Sequence, residues 1–110
     1  MNAVVAAFEL WDRIGMDPSS AVASLRSDDV LVADRAEWML VQGGPQVLPQ
    51  VRAAIQSQSP VVRERAIRIV AWQGDRQSLE LLRSLPETHP EAASLVQWAI
   101  AKIESLHPVS

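Results

Sequence analysis

Two histidines, thirteen carboxylates and four tryptophans hold most of the chemical potential of this 110-residue chain. His89 stands before Pro90 and His107 lies three residues from the C-terminus, so each reads as an exposed loop residue. Neither has the clustered acidic or basic partners that a general acid–base pair or a metal site requires. No glycine-rich loop ends in lysine to cradle a phosphate, and no serine sits between flanking glycines as a nucleophile elbow would need. Cysteine is absent, which removes disulfides and thiolate ligands and fits a reducing compartment. The residues supply no catalytic set, and they call for no cofactor and no metal.

The carboxylates have simpler duties. Asp28-Asp29 stands where a helix should begin, and there an aspartate caps free N–H groups and complements the helix dipole. Glu9 with Arg13, and Glu64 with Arg68, are spaced i to i+4 and read as surface ion pairs. The tryptophans are the more informative group, because a tryptophan contributes a large buried area or anchors an interface.

These side chains must be carried by helices. Apolar residues recur with helical spacing in seven segments, near residues 2–14, 18–26, 29–42, 45–57, 60–73, 76–85 and 90–106, and no segment alternates long enough for a strand. Asp17-Pro18, Ser59-Pro60 and His89-Pro90 each offer a cap followed by a first-turn proline, whose missing N–H would have no helical partner there. Gly43-Gly44-Pro45 ends one helix and starts another, and Gly74-Asp75 closes the fifth segment and caps the sixth. Short connections predict antiparallel hairpins.

The chain also repeats itself. A shift of 30 residues places Val32 on Val62, Arg35 on Arg65, Ala36 on Ala66, Met39 on Ile69, Leu40 on Val70 and Gly44 on Gly74. A shift of 33 places Leu95, Ala99 and Ile103 on Val62, Ala66 and Val70. An apolar residue, a small one four later and another apolar one form a single stripe, and the alanine permits close approach of a paired helix. Such a period is what a helical solenoid needs, because each pair buries its face only against its neighbours. The expected fold is all-α, an α-α superhelix of about three antiparallel helix pairs with an extra N-terminal helix, in one domain spanning 1–110.

The run Pro60, Val62-Arg63, Ala66 and Val70 resembles the second helix of a HEAT or HEAT-like repeat, including the variety found in phycobilisome-lyase-like proteins. The first copy has Ala33 and the last Val96 at the place of Arg63. The resemblance implies a non-catalytic protein-interaction module or adaptor. It also admits an alternative, an accessory subunit or minimal enzyme of the pigment-lyase or DNA-glycosylase type.

Rotation at about 100° per residue, with Val32, Ala36, Met39 and Leu40 inward, turns Trp38 away from the core. The same rotation turns Asp34, Glu64 and Gln97 outward and places Arg68 at the position equivalent to Trp38. These five residues, Asp34, Trp38, Glu64, Arg68 and Gln97, are the candidate partner-binding patch on the inner face of the stack. The competing arrangement folds Trp38 onto a neighbouring helix and pairs Arg68 with Glu64. Trp11 is expected in the core, and Trp72 and Trp98 between neighbouring helices.

A net charge of −3, with nine arginines and one lysine, gives no excess of the kind that neutralises a phosphate backbone, so a protein partner is expected rather than nucleic acid. Ala3–Phe8 is apolar but lacks a preceding basic residue, which argues against a leader or membrane span and for a cytoplasmic location. The arginine excess suggests a GC-rich bacterial genome. Val96, Ile100, Ile103 and Leu106 on the last segment suggest self-association through a terminal helix.

Overall fold

The structure is a computed structural model that describes residues 17–107. Six helices are present in this span: α1 (Pro18–Ser24), α2 (Val30–Val41), α3 (Leu48–Ile55), α4 (Pro60–Gln73), α5 (Leu79–Thr88) and α6 (Ala93–Leu106). No strand occurs among the described residues. The expected helix at 2–14, and with it Trp11, lies outside them.

The starts follow local chemistry. Asp17 accepts a hydrogen bond from the Ser20 N–H at 2.8 Å, Asp29 from the Leu31 N–H at 3.0 Å and Ser59 from the Val62 N–H at 3.3 Å. Each satisfies a donor that the first turn would otherwise leave free. Ahead of α3, α5 and α6 no side chain caps the backbone, and the chain tightens into single 3₁₀ turns at Pro45–Val47, Arg76–Ser78 and Pro90–Ala92. Their i to i+3 bonds, such as Ser78 N–H to Asp75 O at 3.1 Å, serve in place of the cap. Asp75 stands at the N-cap position as the sequence suggests, and its carboxylate is held chiefly by Arg52 and Ser78. At the end of α4, Gly74 adopts φ +67°, a left-handed conformation that closes the helix and that a side chain would strain. Pro86 does not end α5, which runs on to Thr88.

Consecutive helices pair, α1 with α2, α3 with α4 and α5 with α6. Across pairs, α4 packs against both α2 and α6, and α1 packs against α3. α4 is thus the central element. Val62, Ala66, Ile67, Ile69, Val70 and Ala71 all enter one continuous core with Leu25, Leu40, Val51, Ile55, Leu82, Ala99 and Ile103.

Polar ties fasten the turns between pairs. Arg63, buried beside Val62, donates to the carbonyl of Ser57 at 2.9 Å and to Glu91 at 2.9 Å, joining the α3–α4 turn to the α5–α6 turn. Arg52 of α3 grips Asp75 with two hydrogen bonds of 2.7 and 2.8 Å, and Ser78 donates to the same carboxylate at 2.6 Å. Burial pushes the Asp75 carboxyl up, but these hydrogen bonds and the charge of Arg52 outweigh it and hold the group below its usual range.

Two sequence expectations change. Val32 is 44% exposed although its repeat equivalent Val62 is 3% exposed. Ala33 takes the inward place on α2, whose second-copy equivalent Arg63 is buried too, and Val30 and Leu31 are also exposed. The physical difference is that α4 is covered by three helices, packing closely on α2, α3 and α6, whereas the main packing partners of α2 among the described residues are α1 and α4. On α6, Val96 and Ile103 are buried and Ile100 packs against the core, which leaves only Leu106 of the proposed self-association stripe strongly exposed.

Candidate functional site

The side chains of α2, α4 and α6 that do not enter the core form a second layer in which charged residues alternate with exposed apolar ones such as Trp38, Trp72 and Trp98. Asp34, Glu37 and Trp38 are one helical turn of α2, brought to the same face by i, i+3 and i+4 spacing. Arg65, Arg68 and Trp72 stand on α4 with comparable spacing. Packing of α2 on α4 sets the two rows opposite each other.

The result is a ladder of charge between helices. Arg65 donates to Asp34 at 2.8 Å and to Glu37 at 3.0 Å, and Arg68 donates to both oxygens of Glu37 at 2.9 Å. The hydrogen bonds from Arg68 to Glu37 outweigh its partial burial and raise its pKa, with further help from the charges of Glu37, Glu64 and Asp34. Arg65 is nearly buried, and its Nε has no partner. Its two contacts through Nη1 therefore carry the whole of its fixation among the described residues.

This corrects the pairing expected within α4. Arg68 is held by Glu37 of the neighbouring helix and makes no contact of ion-pair length with Glu64, which is exposed. A fork-shaped guanidinium favours a carboxylate that presents both oxygens in its plane over a flexible i+4 neighbour on the same surface.

Between α2 and α4 runs a groove of about 630 Å³, lined by Asp34, Glu37, Trp38, Val41, Gln42 and Trp72. Trp38 is 61% exposed and Trp72 52% exposed, so both indoles keep more than half of their surface in solvent. Trp38 does not fold onto an adjacent helix. Trp72 does meet its neighbour: its ring lies 6.0 Å from that of Trp98 on α6 in an edge-to-face arrangement, and the Lys102 ammonium sits 4.5 Å from its centroid. Trp72 and Trp98 therefore pack between helices as expected, while keeping much of their surface in solvent.

A larger groove of about 890 Å³ lies on the opposite layer between α1 and α3. Its walls are small and polar residues such as Ser19, Ala23, Gln50 and Ala53, with Arg26 as the one charged side chain among those described. It offers volume without convergent chemistry. The groove between α2 and α4 is the better candidate because aromatic and charged groups converge there.

Of the five residues picked from the sequence, Asp34 and Trp38 line this groove, Arg68 lies beside it through Glu37, and Glu64 acts on Arg68 by charge alone. Gln97 is exposed on α6 and lines none of these grooves. Sequence reasoning passed over Glu37, Arg65 and Trp72. The signal was present as an acidic i, i+3 pair on α2 and a basic i, i+3 pair on α4, 31 positions apart and so one beyond the repeat.

The histidines are partly engaged. The His107 Nε2 lies 2.7 Å from the Gly74 carbonyl oxygen, and the His89 Nδ1 lies 3.5 Å from Glu91. Neither lines the groove. Among the described residues no group of three or more potential ligands could hold a metal, and no helix is long and apolar enough to cross a membrane. The chain matches no family model, no curated protein and no solved structure.

Proposed function

We propose that this chain is a short HEAT-like helical-repeat module, an α-α superhelix of stacked pairs, that binds a protein partner on the face formed by α2, α4 and α6 and acts as an adaptor without catalysing a reaction. The observation that carries the reading is the open groove whose walls are the exposed rings of Trp38 and Trp72. Solvent-exposed tryptophans on a rigid scaffold are the residues that most often anchor protein interfaces. The pairing of helices, the contacts of α4 with α2 and α6, and the 30-residue repeat support the HEAT-like part of the proposal.

The charges at the groove, Asp34 and Glu37 paired with Arg65 and Arg68, give no cationic excess of the kind that neutralises a phosphate backbone, which favours protein over nucleic acid. The test is affinity capture from lysate of the native host with the wild-type chain and a Trp38→Ala variant, followed by reconstitution with the purified partner. Trp38 is the better probe than Arg68, because Arg68 also ties α4 to α2. A partner that binds the wild type and loses affinity for the folded variant supports the reading. A partner bound equally by both moves the site elsewhere, and failure to reconstitute any complex removes the adaptor function.

A further inference from the structure

We infer that the groove between Trp38 and Trp72 receives a cationic side chain, an arginine or lysine of a partner peptide, with Asp34 as its counter-ion. The inference rests on the protein-partner reading and names the chemistry of that partner.

Four observations lead to it. The walls are two indoles, and an indole face attracts a cation through its quadrupole. Trp72 already demonstrates this within the chain, since Lys102 of α6 sits 4.5 Å from its centroid. Lys102 is not among the residues lining the groove, to which Trp72 contributes surface together with Trp38.

The charged side chains lining the groove are Asp34 and Glu37, both of them ion-paired with guanidiniums of α4, Asp34 with Arg65 and Glu37 with Arg65 and Arg68. Glu37 is fully engaged, both oxygens accepting from Arg65 and Arg68. Asp34 is not: it is largely exposed, and among the described residues only Oδ1 accepts a hydrogen bond, from Arg65. That bond fixes the carboxylate at the rim and leaves Oδ2 for a ligand. Val41 adds an apolar surface for the methylene stem that a long basic side chain carries below its charged head.

The experiment uses the whole chain and three peptides, acetyl-Ala-Arg-Leu-amide, acetyl-Ala-Gln-Leu-amide and acetyl-Ala-Glu-Leu-amide, titrated while the indole N–H resonances are followed by NMR. The arginine peptide should shift Trp38 and Trp72 saturably and bind roughly tenfold more tightly than the glutamine peptide, with the glutamate peptide weaker still. Asp34→Asn, a substitution at an exposed position, should lower affinity for the arginine peptide severalfold and leave that for the glutamine peptide unchanged.

Equal binding of the arginine and glutamate peptides overturns the inference, as does an Asp34→Asn variant that binds like the wild type. A single-stranded oligothymidylate that shifts both indoles more strongly than the arginine peptide overturns it in favour of nucleic acid. A dimer that Trp38→Ala dissociates overturns it in favour of a second copy of this chain. The two proposals fail separately: partner capture that depends on Trp38, without preference for the arginine peptide, removes the cation and keeps the adaptor. Preference for the arginine peptide, with no reconstituted complex, keeps the cation site and removes the adaptor.

Discussion

Arg52 and Asp75, 23 positions apart, form a two-pronged ion pair in which Nε meets Oδ2 at 2.7 Å and Nη2 meets Oδ1 at 2.8 Å. The pair ties α3 to the turn that follows α4. The Asp75 side chain is only 4% exposed, so its charge is shielded from water while Arg52 keeps one edge in solvent.

The Asp75 carboxyl is held below its ordinary value, so the sign of its pH dependence is set. Its contribution to stability is present in full above the unfolded carboxylate pKa and is lost as pH falls through the lowered folded value. Asp75→Asn is expected to cost about 2 kcal/mol at neutral pH, on the scale of charge-assisted hydrogen bonds. Its stability should also fall less than that of the wild type between about pH 5 and the acid limit. Urea unfolding at several pH values checks both, and parallel pH profiles would show that Asp75 is not the titrating group.

Glu37 and Asp34 both accept from Arg65, but their loss should differ. Glu37 is 17% exposed and serves two guanidiniums, so Glu37→Ala should cost about 2–3 kcal/mol by leaving nearly buried Arg65 with one anchor. Asp34 is 58% exposed, and Asp34→Ala should cost no more than about 1 kcal/mol. Chemical denaturation of the two variants side by side measures the ratio; similar losses would contradict the ladder described above.

Gly74 carries a positive φ, and a Cβ placed there would stand 3.2 Å from both the His107 Nε2 and the Leu106 Cδ1. Gly74→Ala should therefore destabilise by about 1–2 kcal/mol, from backbone strain and from displacement of the end of α6. A thermal melt reads the loss, and an unchanged melting temperature would mean that the α4 terminus relaxes freely.

Trp38 makes no comparable structural contribution. Trp38→Ala should shift stability by less than about 0.5 kcal/mol, as at other exposed sites, while abolishing partner capture. Circular dichroism melts together with a binding measurement separate the two effects. A large loss of stability would place the indole in the packing instead of at an interface.

Much of the local structure could be read from residue order, because its causes are local. The Ser59-Pro60 cap and Gly74 bound a helix expected at 60–73, and α4 occupies Pro60–Gln73. Where the expectation slipped, the competing cause was also local: without a capping side chain, the segments beginning at Pro45, Arg76 and Pro90 open with a 3₁₀ turn. Two of the six groove-lining residues were legible for the same reason, since helical rotation alone turns Asp34 and Trp38 to one face.

Residue order by itself determined that the described chain is helical, where most helices start and stop, and which stripe of α4 is buried, because caps, turn residues and the 3.6-residue period act within a few positions. Tertiary structure alone decided that Arg68 reaches Glu37 instead of Glu64, that Val32 stays exposed where Val62 does not, and that Trp72 closes a groove opposite Trp38. Those outcomes depend on which helix lies beside which, and residues 28 to 34 positions apart become neighbours only when α2 packs on α4.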